Sequence, residues 1–147
     1  MKKALLLAMV CILGLASCNP LEQPRVAVSV AEQYYETVKA KDFAKSLDYY
    51  SPDFFNALKI SPEEWQGTLA KLQDKLGELQ DYNLVSWKTS TFVGTGAQSG
   101  TYYNLDYNVT YSDYVAKEIL TLFKPQGAAD GDIRIAGHVI TSPGLLN

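Results

Sequence analysis

Tyr107, Glu118 and His138 are the residues of this chain whose types suit proton transfer, provided the fold brings them together. His138 is the single histidine. A three-histidine metal centre is thus excluded, and no dense run of carboxylates replaces it, so neither metal nor cofactor is expected. A Gly-x-Ser-x-Gly elbow is missing as well, which removes the usual setting for a serine nucleophile. Strand register supplies the grouping. If Ser112-Asp113 is a two-residue turn, Tyr111 faces Tyr114, and pairing continues as Val109 with Ala116 and Tyr107 with Glu118. If Phe123 opposes Ile133 in the next pair, Glu118 faces His138. The three then form a polar row on a face otherwise made of Tyr103, Leu105, Val109, Ala116, Leu120 and Leu122. Burial among apolar side chains disfavours the carboxylate, whereas a nearby imidazolium favours it, and such opposition tunes acid–base pairs. Ligand contact, catalysis and a satisfied Glu–His pair all remain open for this row.

The opposite face of the same hairpin carries Tyr102, Asn104, Asp106, Asn108 and Thr110, set against Lys117 and Thr121. It reads as the solvated side of an antiparallel sheet, or as an interface, since tyrosine is favoured where proteins meet. The chain has ten tyrosines. They serve either core packing or contact with carbohydrate, and the sequence does not separate the two. Trp65 fits a helix seam, while the face of Trp87 is undetermined.

A different chemistry is written at the amino terminus. Met1-Lys2-Lys3 is basic, residues 4–15 are apolar, and Leu15-Ala16-Ser17-Cys18 follows. These are the three parts of an export signal. Twelve apolar residues span roughly 18 Å of helix, too little for a hydrocarbon core of about 30 Å. Leu15-Ala16-Ser17-Cys18 resembles a lipobox, in which cleavage between Ser17 and Cys18 leaves a diacylated cysteine as the membrane anchor. The division expected is residues 1–17 as signal peptide, 18–25 as lipidated cysteine and tether, and 26–147 as one domain. Cys11 departs with the signal, so no thiol remains for catalysis, metal binding or disulfides. Seven tether residues, Asn19 to Arg25, reach at most about 25 Å and keep the domain near its membrane. Asn19, where Asp would retain a Gram-negative lipoprotein at the inner membrane, leans toward the outer membrane facing the periplasm.

Of 13 basic residues, Lys2 and Lys3 leave with the signal; 11 remain against 16 acidic ones, a net charge of -5. That balance excludes nucleic acid and a polybasic membrane patch as partners.

The elements that must position these residues fall into two halves. Residues 26–40 place Val30, Tyr34 and Val38 on one helical face, with Ala31 and Tyr35 alongside. Asp42 caps a second helix bearing Phe43, Leu47 and Tyr50, which Ser51-Pro52 ends. Ser61-Pro62-Glu63-Glu64 opens a third, with Trp65, Leu69, Leu72, Leu76 and Leu79 as its seam. Residues 82–93, 101–111, 114–124 and 132–141 are rich in β-branched and aromatic residues and read as strands. The glycine-rich stretch 94–100 lacks a following helix and so is no phosphate loop. The fold expected is α+β, with three N-terminal helices packed on a curved four-stranded antiparallel sheet.

Val38-Lys39-Ala40-Lys41-Asp42-Phe43, with Leu47 and Tyr49-Tyr50-Ser51-Pro52-Asp53-Phe54, resembles the opening of nuclear transport factor 2-like domains. The resemblance implies a cone-shaped cavity between sheet and helices, and homodimers formed through the sheet. It spans ketosteroid isomerases, SnoaL-like polyketide cyclases and exported bacterial domains, so it fixes no activity. Three functions follow as expectations: an envelope lipoprotein that binds a small amphipathic ligand or an envelope protein; an isomerase or cyclase with Glu118 or Asp106 as base and Tyr107 as donor; and an interaction protein with a filled cavity.

Overall fold

Two Ser–Pro pairs organise the helical half. The computed structural model describes residues 24–146, so the signal, Cys18 and most of the tether lie outside the described residues. Helix α1 (Arg25–Lys39) buries Ala27, Val28, Ala31, Tyr34, Tyr35 and Val38. Asp42 caps α2 (Phe43–Ser46) by accepting the Lys45 N–H, and a 3-10 turn (Leu47–Tyr49) continues it. Ser51 does not merely end that segment. Its hydroxyl accepts the Phe54 N–H and Pro52 takes the first helical position, so a further helix α3 (Pro52–Leu58) begins there. Among the described residues four α-helices thus stand where three were expected. The expected capping box at Ser61 and Glu64 is complete and opens α4 (Pro62–Leu76).

Gly77 ends α4 earlier than the seam predicted, and Leu79 already belongs to the sheet. Gly77 has φ +89°, and a Cβ there would fall 2.0 Å from Ser112 Oγ. Only glycine permits both the backbone turn and that approach. The strands β1 (Leu79–Phe92), β2 (Gly100–Tyr111), β3 (Val115–Pro125) and β4 (Arg134–Thr141) form an antiparallel sheet in the order β1-β2-β3-β4. Among the described residues the helices pack on one face of this sheet, where Leu105, Tyr107, Val109, Leu120, Leu122 and Ile135 are buried, and leave the other face free of helix. Gln73 Nε2 donates to the Val38 carbonyl at 3.0 Å, pinning α4 against the end of α1.

The β2–β3 register is the one the tight turn predicts: Tyr107 opposes Glu118 and Val109 opposes Ala116. The β3–β4 register differs from expectation. Phe123 opposes Arg134, not Ile133, and a bulge at Ala136 lies between the Leu122–Ile135 and Thr121–Gly137 pairs. Glu118 therefore faces Ile140, and His138 faces Leu120. The offset from the expected pairing is two residues, which preserves the face. Without the bulge it would be one residue, and His138 would point away from the helices.

Candidate functional site

Between helices and sheet lies a closed network of polar side chains around Glu118. Strand β3 presents the carboxyl group from the face whose neighbours are Ala116, Leu120 and Leu122, all buried. Tyr111, on β2, donates to Glu118 Oε1 at 2.7 Å, and Tyr35, on α1, donates to Oε2 at 3.3 Å. His138 Nε2 lies 2.9 Å from the same Oε2. The side chains of His138 and Glu118 are each 1% exposed.

The His138 ring bridges two partners. Its Nδ1 lies 2.9 Å from the Tyr50 hydroxyl, which in turn lies 3.0 Å from the Tyr34 hydroxyl. Both carboxyl oxygens of Glu118 are met by hydrogen-bonding side chains, which offsets the cost of burying the group.

The surrounding hydroxyls are held as donors. Burial is the largest cause pushing the Tyr34, Tyr35, Tyr50 and Tyr111 hydroxyls well above the ordinary tyrosine range, and the Glu118 charge adds to it for each. For Tyr50, bonding to Tyr34 and the nearby Trp65 indole nitrogen act in the opposite direction. That indole N–H completes no hydrogen bond among the described residues. Rings enclose the imidazole: Tyr34 meets it edge-on at 5.8 Å, Tyr50 lies at 6.3 Å and Trp65 at 6.0 Å.

Of the expected row, Glu118 and His138 are bonded directly, although they are not opposite in register. Tyr107 shares their face but stands apart. Its hydroxyl is buried without a partner among the described residues, and its ring packs 4.9 Å from Tyr35 and 6.3 Å from Tyr82. Burial, then the Glu32 charge, raises its pKa. Sequence reasoning missed Tyr34, Tyr35, Tyr50 and Tyr111 as members of the network. The available signal was their placement on core-facing stripes opposite an acid that also faces inward.

The described clefts open on other surfaces. One, of about 780 Å³, lies on the helix-free face between the 93–99 loop and the ends of β1 and β2, with Tyr102 and Asn104 in its wall. On that face Asp106 accepts a hydrogen bond from Ser86 at 2.7 Å, and Asn108 is exposed opposite Asn83 and Lys117. Thr121 donates to Asn104 Oδ1 at 2.7 Å. Phe92, Val115, Ile119 and Val139 are exposed, the first at 60%. Trp87 pairs with buried Leu105 and so points to the helix side, yet it is 39% exposed. Among the described residues no three His, Cys, Asp or Glu side chains are grouped to hold a metal ion, and no helix is long and apolar enough to cross a membrane. No family model matches the chain, and comparison with curated proteins and with solved structures finds no significant match.

Proposed function

We propose that this chain is a lipid-anchored module of the cell envelope that binds through the helix-free face of its sheet. Cys18 is the lipidated residue, the bilayer is the permanent partner, and Ser17–Cys18 is the cleavage site. An outer-membrane position facing the periplasm follows from Asn19. The nuclear transport factor 2-like resemblance belongs to this reading and is supported by the order of helices first and antiparallel strands second.

The contrast between the two sheet faces carries the binding half. The acid and base that suited chemistry are enclosed and spend their hydrogen bonds on each other and on neighbouring tyrosines. The opposite face is broad, exposes Phe92, Val115, Ile119 and Val139, and alternates them with amides and hydroxyls. Such a mixture suits a wet, specific contact with an envelope molecule or a second copy. No observation on the enclosed face favours an isomerase or cyclase.

Palmitate labelling in a bacterial host tests the anchor: the label and membrane association should vanish in Cys18→Ala, and their persistence would refute it. Binding is tested with a photocrosslinking residue placed at Ile119 or at Leu58, which is exposed on the helical side. Adducts in intact cells should form from position 119 and not from 58; equal yields would remove the sheet face from the proposal.

A further inference from the structure

We infer that the cleft beside the 93–99 loop is a saccharide site, taking a neutral sugar against Phe92 and Tyr102. The inference deepens the binding reading above and rests on it, since it names the ligand class for the same face. The cleft's volume, about 780 Å³, is that of a small-molecule site.

The chemistry of its wall selects the ligand. None of the lining residues carries a charge. A phosphate or carboxylate would have no cation to meet it, and a cationic ligand no carboxylate. A wholly apolar ligand would desolvate Gln98, Asn104 and Thr121 without repaying their lost hydrogen bonds. A sugar ring fits both requirements. Its axial C–H bonds form an apolar face, and its hydroxyls donate and accept at the rim, as amides and hydroxyls require.

The aromatic surface is held in place before any ligand arrives. Phe92 meets Tyr102 edge-on at 5.7 Å, and Tyr102 lies 4.5 Å from Phe123 at an interplanar angle of 31°. Gly100 makes room beneath: a Cβ there would fall 2.7 Å from the Phe123 ring and 2.2 Å from the Lys124 carbonyl oxygen. Asn104 is oriented too. Thr121 occupies its Oδ1, leaving the amide NH₂ as the donor available to the cleft. The loop is shaped by its own backbone, with Ser99 N–H donating to Gly96 and Gln126 N–H donating to Ser99. An exposed phenylalanine packed on a backed tyrosine, ringed by neutral donors and acceptors, is otherwise a costly way to build a sheet end.

The test is calorimetric titration of the full chain, purified in a non-glycosidic detergent, with chitotetraose, maltotetraose and a heparin tetrasaccharide. Saturable binding of a neutral probe is expected. Phe92→Ala and Tyr102→Ala should each weaken it about tenfold, with Gln98→Ala as a further variant remote from the packed core. Phe92 is mostly exposed, so its replacement should leave the melting temperature in place. Saturation by neither neutral probe, binding of the heparin fragment alone, or affinity unchanged in both aromatic variants would each overturn the inference. A chain that keeps its palmitate and its position-119 adducts but ignores both neutral sugars would lose the ligand class and keep the anchored-module reading.

Discussion

Raising the pH should unfold this protein in a narrow window, and the five buried tyrosines set its position. Tyr34, Tyr35, Tyr50, Tyr107 and Tyr111 all have hydroxyl pKa values raised by burial above the ordinary value near 10. Above that pH the unfolded chain releases five protons that the folded chain keeps. The unfolded state then binds fewer protons, so stability falls as pH rises; below about pH 10 the contribution is intact. Each tyrosine contributes a slope of about 1.4 kcal/mol per pH unit, so five together give about 7 kcal/mol per pH unit. A domain of this size has roughly 6–18 kcal/mol to lose. Unfolding should therefore fall between about pH 11 and pH 12.5. Tyrosinate absorbance and far-ultraviolet circular dichroism, followed on one sample, provide the assay. The ionisation of the five should coincide with loss of helix signal, and Tyr107→Phe should lower the slope by about a fifth. Full ionisation of all ten tyrosines while the helices persist would refute the packing argument.

Three substitutions probe the network by chemical denaturation. Tyr111→Phe removes a charge-assisted bond to Glu118 and should cost about 1.5–3 kcal/mol. Tyr107→Phe, which only deletes an unpartnered buried hydroxyl, should be neutral or stabilising; equal losses for the two would contradict their assigned environments. Glu118→Gln puts an amide donor where Tyr111, Tyr35 and His138 now converge on a carboxyl oxygen, and should destabilise by about 3–5 kcal/mol; a change under about 1 kcal/mol would show that this network adds little to the fold. Deleting Ala136 restores a regular ladder and turns either His138 or Ile133 and Ile135 toward solvent. A loss above about 4 kcal/mol is expected, and a near-neutral deletion would show that the bulge does not set the register.

Much of the architecture was legible because periodicity reports burial. The stripe of Val30, Tyr34 and Val38 gave α1 within a residue of its observed ends, and the Ser61 capping box gave the start of α4. The Ser112-Asp113 turn fixed the β2–β3 register because a two-residue loop leaves no freedom in pairing. Two features were hidden. Ser51-Pro52 closes one segment and opens the next, so a reading that treats proline as an ending misses α3. The bulge at Ala136 has no glycine or proline at the extra position to mark it. The right face for His138 therefore followed from the wrong partner. The tyrosine network was illegible for another reason: Tyr35 and Glu118 are 83 positions apart, and only tertiary packing brings them together.

Tyr50 also touches the sheet from outside. It forms an isolated parallel bridge to Ile135, and the Ser51 N–H donates to the Ile135 carbonyl at 2.9 Å. An otherwise free strand margin is thereby occupied by the same residue whose hydroxyl bonds the His138 ring. Fraying of the short turn before it would uncover an edge able to template association between molecules and would wet the imidazole in the same event. Exchange of the Ser51 amide should consequently track the onset of self-association, making one hydrogen a gauge of how close the fold is to clumping.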